Sequence, residues 1–354
     1  MAPAHRPSGR ITLIITIAAV LLAVSRTASA QRLAAYVSLV DQYSRGEAQD
    51  AVVQLARRGN ERITKDIAAW MRQLSPDQLR AAVMMHTDLG YVLMAGGQGS
   101  SALLQIRNAE SLIGIMIGNG HDMEAPRAFA IRWYAFTAGM YTSQGQLDAA
   151  SGFVRAGLVA YPRAAELYVA RGSIMEMRAS MDSSDDLRRG ISVSRAGRPA
   201  LRIARMQESA AADFERAIEC DGHFAPAHLH RGWVHYLVHD DRASSDLEAA
   251  LAATATDDVR YLAHLFLGAV AEGRGDLEAA RTEFEAARTI APHQSSSVAL
   301  SRVEAALGHT EPARTIAAEA AGHAAQTDDP WWNYHLGGFD ADILFWLRRE
   351  ARHQ

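Results

Sequence analysis

The chain has 354 residues, of which 49% are hydrophobic and 21% are charged, and its formal net charge is −4 at pH 7. This composition is typical of a packed globular protein and excludes a chain that is disordered throughout. Lys65 is the only lysine and lacks a glycine-rich setting, which excludes P-loop and Schiff-base chemistry. Because the arginines are scattered among acidic residues, nucleic acid is not expected as a partner.

The N-terminal residues have the pattern of an export signal. Arg6 and Arg10 precede an apolar run from Ile11 to Val24, and small residues follow at 28–30. The run is shorter than the roughly 20 residues that span a bilayer. We therefore expect residues 1–30 to be a signal peptide that is removed rather than kept as an anchor, which leaves no integral membrane segment. The mature protein is predicted to be exported, either periplasmic or secreted.

Residues 31–124 are predicted to be helical, with few repeat signatures. The stretch YVSLVDQYSRGEAQDAVVQLA, 36–56, has the order helix, glycine, helix. Two further apolar stretches, DQLRAAVMMHTDLGYVLMAG at 77–96 and ALLQIRNAESLIGIMIG at 102–118, form another predicted helix pair. We expect this part to be a degenerate helical array.

Two further helix pairs are predicted over 128–175, before an irregular segment. The residues that mark them are Tyr134, Tyr141, Gly145, Leu147, Ala150, Pro162, Ala165, Tyr168 and Gly172. Residues 182–199 are instead rich in Ser, Asp, Gly and Arg, a composition that buries little apolar surface. We interpret 182–199 as a mobile insertion that lengthens the link between two helices.

Small and bulky residues share one spacing over 210–294. Ala280, Phe284 and Ala287 lie on one helical face, after a turn at Gly275 and before Pro292. The same places are held upstream by Ala210, Phe214 and Ala217, and by Ala243, Leu247 and Ala250. Alanines allow two helices to approach closely, and the phenylalanine is expected to fill the groove between one repeat and the next. Proline ends the unit because it cannot continue the helix.

The order Leu267-Gly268, turn glycine, Ala-x3-Phe-x2-Ala and proline resembles the tetratricopeptide repeat. The resemblance implies an all-α, right-handed solenoid of about seven stacked antiparallel helix pairs, with the solenoid proper over 125–322. It also implies a non-catalytic scaffold, without cofactor, that binds a protein or peptide on its concave face. The family's binding positions carry over to Leu229, Trp233, Tyr236, Leu262, Leu265 and Ala269. The alternative is that these apolar side chains pack against neighbouring repeats.

A cluster of histidines suggests a different class of function. His228, His235 and His239 recur near one helix face, and Asp240 could complete a zinc site, so a metal-dependent enzyme is an alternative. The repeat register favours a packing role for His228 and His235, and we predict no metal. The register also predicts that Cys220, the only cysteine, is a buried and inert thiol.

The C-terminal residues 323–354 hold three of the six tryptophans. Asp329-Pro330 predicts a helix start, and Phe339, Ile343 and Trp346 form an apolar stripe. We interpret this region as a helix that caps the last apolar face of the array. The alternative is an exposed anchor for a partner, formed by Trp331, Trp332 and Tyr334. Self-association through these aromatic residues, giving a homo-oligomer, is a further alternative.

Overall fold

The computed structural model describes residues 30–57, 72, 74–118, 124–188, 198–254, 256–322, 329–334 and 347–349, and none of these lies in a β-strand. Helix α1 covers residues 30–44. The remaining helices are α2 (Ala48–Arg57), α3 (Pro76–Ala95), α4 (Gly99–Gly118), α5 (Glu124–Ser143), α6 (Leu147–Ala160), α7 (Ala165–Arg188), α8 (Arg198–Cys220), α9 (Ala225–Leu237), α10 (Ala243–Ala253), α11 (Asp257–Gly273), α12 (Leu277–Ile290), α13 (Gln294–Ala306), α14 (Thr310–Gly322) and α15 (Pro330–Asn333). No helix in these ranges is both long and apolar enough to cross a membrane. The predicted signal peptide falls outside them, apart from Ala30.

Successive helices pack as hairpins, which confirms the predicted all-α fold of stacked helix pairs. Within the described residues α3 pairs with α4, α7 with α8, α9 with α10, α11 with α12, and α13 with α14. Gln54 and Gln42 are hydrogen-bonded between α2 and α1. Phe153 of α6 contacts Trp133 and Tyr141 of α5. Where consecutive hairpins meet, the second helix of one packs on the first helix of the next, as in a TPR-type solenoid.

The chain divides into two compact units. The first comprises residues 1–130 together with 345–354, and the second comprises residues 131–344. Within the first unit, Asp88 of α3 accepts hydrogen bonds from the Tyr43 hydroxyl at 2.8 Å and from Arg348 Nη2 at 2.7 Å. The functional boundaries expected from the sequence, at 124/125 and 322/323, stay a prediction.

The hairpins share one turn geometry. In six of the pairs that the structure describes, a single residue after the first helix has a positive φ, and five of these residues are glycine: Gly46, Gly97, Gly145, Gly275 and Gly308. At Gly275 the amide donates to Glu272 O at 2.9 Å, and the amide of Asp276 donates to Ala271 O at 3.0 Å. This is the Schellman pattern, which satisfies the last carbonyls of the helix and favours glycine.

His239 occupies the same turn position between α9 and α10. Its φ is +60°, and its amide donates to Tyr236 O at 3.0 Å. The left-handed region costs a side-chain-bearing residue energy that glycine avoids. The backbone of this predicted metal-ligand candidate therefore forms the turn between two helices.

Replacing His239 with glycine is expected to stabilise the protein by about 0.5–1 kcal/mol, because glycine adopts this φ without a Cβ clash. The matched change Gly275→Ala, at the equivalent turn, is expected to destabilise it by about 1–2 kcal/mol. Urea unfolding followed by circular dichroism measures both shifts. A destabilised His239→Gly protein would contradict the turn assignment.

A glycine on the first helix makes room for a bulky side chain on the second. A Cβ built on Gly268 would lie 2.5 Å from Cε1 of Phe284, and one built on Gly172 would lie 2.4 Å from Cε1 of Phe214. The sequence suggested that Phe284 fills the groove between repeats. Its ring lies directly against Gly268 of its own hairpin, because the missing Cβ lets the two helices approach there. The same side chain also borders the cleft that Val298 and Ala299 of the next hairpin line.

The same contact occurs in the N-terminal hairpin of α3 and α4, where the sequence indicated little repeat character. A Cβ on Gly90 would lie 2.7 Å from Cδ1 of Ile106. Ala102, Ile106 and Ala109 are fully buried and have the Ala-x3-bulky-x2-Ala spacing. The separations from Gly90 to Gly97 and from Gly97 to Ala102 equal those from Gly268 to Gly275 and from Gly275 to Ala280. The repeat was not recognised from the sequence because isoleucine stands in the phenylalanine position.

The segment interpreted as an insertion is partly helical. Residues 182–188 continue α7 and residues 198–199 begin α8, which gives helices of 24 and 23 residues. Asp182 and Arg202 form an ion pair at 3.1 Å between these helices. With no proline or glycine between Gly172 and Gly190, nothing in the sequence stops α7 at residue 182. Residues 189–197 lie outside the described ranges.

Candidate functional site

The first helices of neighbouring hairpins carry a cluster of aromatic side chains in the second unit. Trp233 of α9 stacks on Phe266 of α11, with ring centroids 4.3 Å apart. Trp331 meets both rings edge to face, at 5.6 Å from Trp233 and 5.7 Å from Phe266. Aromatic rings prefer such stacked and edge-to-face arrangements. A residue near the C-terminal end of the chain thus lies on the face formed by the first helices.

Tyr334 fills a polar pocket on the same face. It is 4% exposed, and its hydroxyl donates to Glu176 Oε1 of α7 at 3.0 Å. Its ring stacks on His230 of α9 at 4.3 Å and meets Phe266 edge to face at 5.0 Å. Burial, and then the neighbouring Glu176, raise the pKa of Tyr334 well above its ordinary value of 10. The hydroxyl therefore stays protonated and acts as a donor.

Glu176 connects Tyr334 to His230. The second carboxylate oxygen, Oε2, lies 2.7 Å from His230 Nδ1, and Glu176 is only 4% exposed. A carboxylate oxygen accepts a hydrogen bond from an imidazole N–H, so we assign Nδ1 as the donor in this contact. Both oxygens of a buried acid are thereby satisfied, one of them by the Tyr334 hydroxyl.

Asp329, which precedes Trp331 and Tyr334 in the chain, is held by two backbone amides. Its Oδ2 accepts from the Ser295 amide at 2.9 Å, and its Oδ1 accepts from the Trp331 amide at 3.1 Å. Ser295 is the second residue of α13, where backbone amides have no partner within the helix and the helix dipole favours negative charge. Asp329 also starts the short helix α15, as the Asp-Pro pair predicted.

Residues Asp329–Tyr334, the 329–334 segment, therefore lie across the first helices of four hairpins. Asp329 contacts α13, Trp331 contacts α9 and α11, and Tyr334 contacts α7, α9 and α11. The side chain of Trp332 and the predicted stripe of Phe339, Ile343 and Trp346 lie outside what the structure describes. The capping role stays a prediction, whereas the exposed partner anchor is wrong for Tyr334, which is 4% exposed.

An open cleft of about 500 Å³ lies beside Trp331, between α9, α11 and α13. Its walls include Tyr236, Leu265, Ala269, Glu272, Val298 and Arg302. Val298 is 48% exposed, and Arg302 Nε binds Glu272 Oε1 at 2.7 Å along the rim. The cleft thus combines an apolar surface with one charged pair that is already satisfied.

The structure distributes the binding residues expected from the sequence between core and cleft. Leu229 and Leu262 are buried in the hydrophobic core at 2% and 6% exposure. Leu265 is 8% exposed but lines the cleft, together with the partly buried Trp233 and Tyr236. Trp331 and Ala269 line it as well.

Glu176, Val298 and Arg302 were not expected from the sequence, although one signal could have found them. Within the first helices, Tyr236 and Glu272 stand four residues after Gly232 and Gly268, and Glu176 stands four residues after Gly172. In α13 the small position is Ser301, and the binding positions counted from it are Val298 and Arg302. Applying the same positions to α7 and α13 would have identified Glu176, Val298 and Arg302 from the sequence.

The histidines expected as metal candidates point to different partners. His228 Nε2 lies 3.0 Å from Gly222 O, and His235 Nδ1 lies 2.7 Å from Asp246 Oδ2. Burial alone would raise the pKa of Asp246, but hydrogen bonds from His235 and Arg231 lower it below its ordinary value. Within the described ranges, no group of three or more His, Cys, Asp or Glu residues is arranged to hold a metal ion.

Two other polar residues of the sequence interpretation have clear places. Asp240 binds Arg242 through both carboxylate oxygens, with Arg242 Nη2 at 2.8 Å from Oδ2. Cys220 ends α8 and is partly buried rather than fully buried. The prediction of a buried thiol is therefore wrong, since the residue is half-buried, and its inertness stays a prediction.

Several solved structures are similar to this chain. A tetratricopeptide repeat protein from Parabacteroides merdae is 14% identical, with 87% of this chain and 98% of that chain covered and a TM-score of 0.48. The TPR protein TTC0263 from Thermus thermophilus is 20% identical, with 68% and 99% covered and a TM-score of 0.40. A human IFIT1 dimer with m7Gppp-AAAA is 18% identical, with 70% of this chain covered and a TM-score of 0.41; the match spans 58% of the IFIT1 chain. No family model matches the chain, and no curated protein matches it.

The architecture follows from features of the chain itself. Its helices form adjacent hairpins, its turns repeat one positive-φ geometry, and a small residue of the first helix accommodates a bulky residue of the second. These are the physical features that the tetratricopeptide pattern encodes. The protein has an all-α fold of the tetratricopeptide-repeat type.

Proposed function

We propose that the protein is a non-catalytic interaction scaffold that holds a segment of a partner protein on the concave face formed by its first helices. The observation that carries this proposal is the open cleft beside Trp331, where Val298 remains 48% exposed on an otherwise packed apolar surface. Exposed apolar surface within a concavity is typical of a binding site. The signal-like N-terminus leads us to place this function in the bacterial envelope, after export.

The size and chemistry of the cleft favour a peptide. A volume of about 500 Å³ accommodates a few side chains rather than a folded domain. Leu265, Ala269 and Val298 offer apolar contact, while the Glu272–Arg302 pair at the rim can exchange hydrogen bonds with a peptide backbone. A mostly apolar segment with few charges fits these walls best.

The lining of the cleft favours binding over catalysis. Its described lining contains no histidine, cysteine or lysine, and the two charged residues in that lining, Glu272 and Arg302, bind each other. General acid–base or nucleophilic chemistry ordinarily needs a titratable group that faces the substrate. Tyr236 and Ser295 also line the cleft, but most of the described lining is apolar surface, which favours the scaffold.

Val298→Glu is expected to weaken partner capture at least tenfold, because it places a charge on the apolar wall of the cleft. Its exposure means that the fold should tolerate it, whereas truncating Trp233 would remove a ring stacked on Phe266. Wild-type and variant proteins are immobilised, envelope extract is passed over them, and captured proteins are identified and titrated after purification.

The matched control is Val159→Glu, which makes the same change at a valine of α6 that is 82% exposed. Partners of the cleft should bind this control as they bind wild type. If no captured protein distinguishes Val298→Glu from Val159→Glu, while helical content stays equal, the proposed binding cleft is incorrect.

A further inference from the structure

The 329–334 segment contacts the first helices through three chemically distinct anchors. An acid, Asp329, meets the backbone amide of Ser295 near the start of α13; an indole, Trp331, meets Trp233 and Phe266; and a phenol, Tyr334, meets Glu176 and His230. The anchors stand at positions one, three and six of a short stretch of sequence. Their spacing defines a readable pattern, acid-x-Trp-x-x-Tyr.

The contact of Tyr334 with its pocket uses the hydroxyl group as well as the aromatic ring. Glu176 Oε2 is taken by His230, whereas Oε1 accepts from the Tyr334 hydroxyl at 3.0 Å in an environment where the acid is 4% exposed. A phenylalanine in this place would leave Oε1 without that donor, and an unsatisfied buried acceptor is costly. An apolar cap would not require such a group, so we expect the pocket to prefer tyrosine over phenylalanine.

The residues that these anchors contact are remote from the segment in sequence. Tyr334 and Glu176 are 158 residues apart, and the segment reaches back over three hairpins that precede α13. Trp331 remains only partly buried and forms one wall of the open cleft. The segment therefore occupies one part of the first-helix face and borders the part that stays open.

We propose that Glu176, His230 and Phe266 form a recognition pocket for a tyrosine of a partner protein, and that the chain's own Tyr334 occupies this pocket as a built-in competitor. The partner is a polypeptide with the pattern acid-x-Trp-x-x-Tyr, and it displaces the 329–334 segment when it binds. This inference rests on the proposed scaffold function and specifies which partner segment that scaffold selects.

The test uses the full chain with the double substitution Trp331→Ala and Tyr334→Ala, which removes two of the three anchors. We call this protein the vacated variant. The probe is a fluorescently labelled synthetic peptide, DPWWNY, with the sequence of residues 329–334, and binding is measured by fluorescence anisotropy. The vacated variant is expected to bind the probe at least tenfold more tightly than wild type does, because the wild-type pocket is already filled. A second probe, DPWWNF, is expected to bind the vacated variant at least tenfold more weakly than DPWWNY.

Several results would overturn the proposal. These are equal affinity of wild type and vacated variant for DPWWNY, equal affinity of the vacated variant for the two probes, or no binding by a variant whose helical content matches wild type. If the vacated variant loses helical content, Tyr334→Phe replaces it, and this milder variant should still bind DPWWNY more tightly than wild type. A dimer that becomes monomeric in light scattering on loss of Tyr334 would show exchange between two copies, and would also overturn it.

The outcome is separable from that of the proposed function. Loss of DPWWNY binding with intact Val298-dependent capture would remove only the tyrosine pocket. Equal capture by Val298→Glu and Val159→Glu, with intact discrimination between the two probes, would remove only the cleft.

Discussion

Replacing Glu176 with alanine is expected to destabilise the protein by about 2–5 kcal/mol. The change would leave the Nδ1–H of His230 and the hydroxyl of Tyr334 without their acceptor, and an unsatisfied buried polar group costs about 1–3 kcal/mol. It would also leave a void beside two stacked rings. Chemical unfolding followed by circular dichroism measures the loss.

Glu176→Gln and Glu208→Ala are the matched controls for this result. Glutamine keeps the shape and one acceptor oxygen, so it is expected to lose less stability than alanine. Glu208 is an exposed glutamate of α8, and its removal should have no measurable effect. If Glu176→Ala were as stable as Glu208→Ala, the buried Tyr334–Glu176–His230 network would not contribute to the folded state.

Two glycine-to-alanine changes are expected to act in opposite directions. Gly268→Ala should destabilise the protein by about 1–3 kcal/mol, because the new methyl group would lie 2.5 Å from a ring atom of Phe284, which is 1% exposed. Gly114→Ala should stabilise it by about 0.5–1 kcal/mol. Gly114 is an exposed residue within α4, and a Cβ there meets nothing within 4 Å. Thermal and urea unfolding of both variants measures the two shifts.

A double-mutant cycle isolates the cause. Phe284→Ala alone is expected to cost about 3–5 kcal/mol, since it empties a buried site. In that background the additional Gly268→Ala change should cost little, because the clashing ring is gone. Additive effects of the two substitutions would mean that the glycine is needed for another reason, such as the backbone conformation of α11.

The fold was predictable because the features that create it are local. The turn glycines, the Gly268–Phe284 spacing and Pro292 all fall within one hairpin, so a single sequence displays them. The prediction weakened where the same contact used a different side chain. Ile106 replaces phenylalanine against Gly90, and His239 replaces glycine in a turn, yet the packing and the backbone are the same. Shape, rather than residue identity, is what the repeat requires.

The candidate site was predictable only in part. Trp233, Tyr236 and Leu265 follow from the register of the first helices, and the structure brings them together with Trp331. The pairing of Tyr334 with Glu176 could not be foreseen, because no periodicity connects residues 158 positions apart. Long-range contacts of this kind depend on where the chain returns after the last hairpin, and no local pattern records that path.

That return path has a consequence for how the second unit opens. In an array of hairpins that touch only their neighbours, each hairpin can unravel separately from one end, and stability is a sum of nearest-neighbour contributions. The contacts of Asp329 with α13 and of Tyr334 with α7 join hairpins that are not neighbours. If the hairpin of α13 and α14 frays, Glu176 of α7 therefore also loses its contact with Tyr334. We expect the two ends of this array to unfold together. Release of the 329–334 segment would remove contacts from four helices at once.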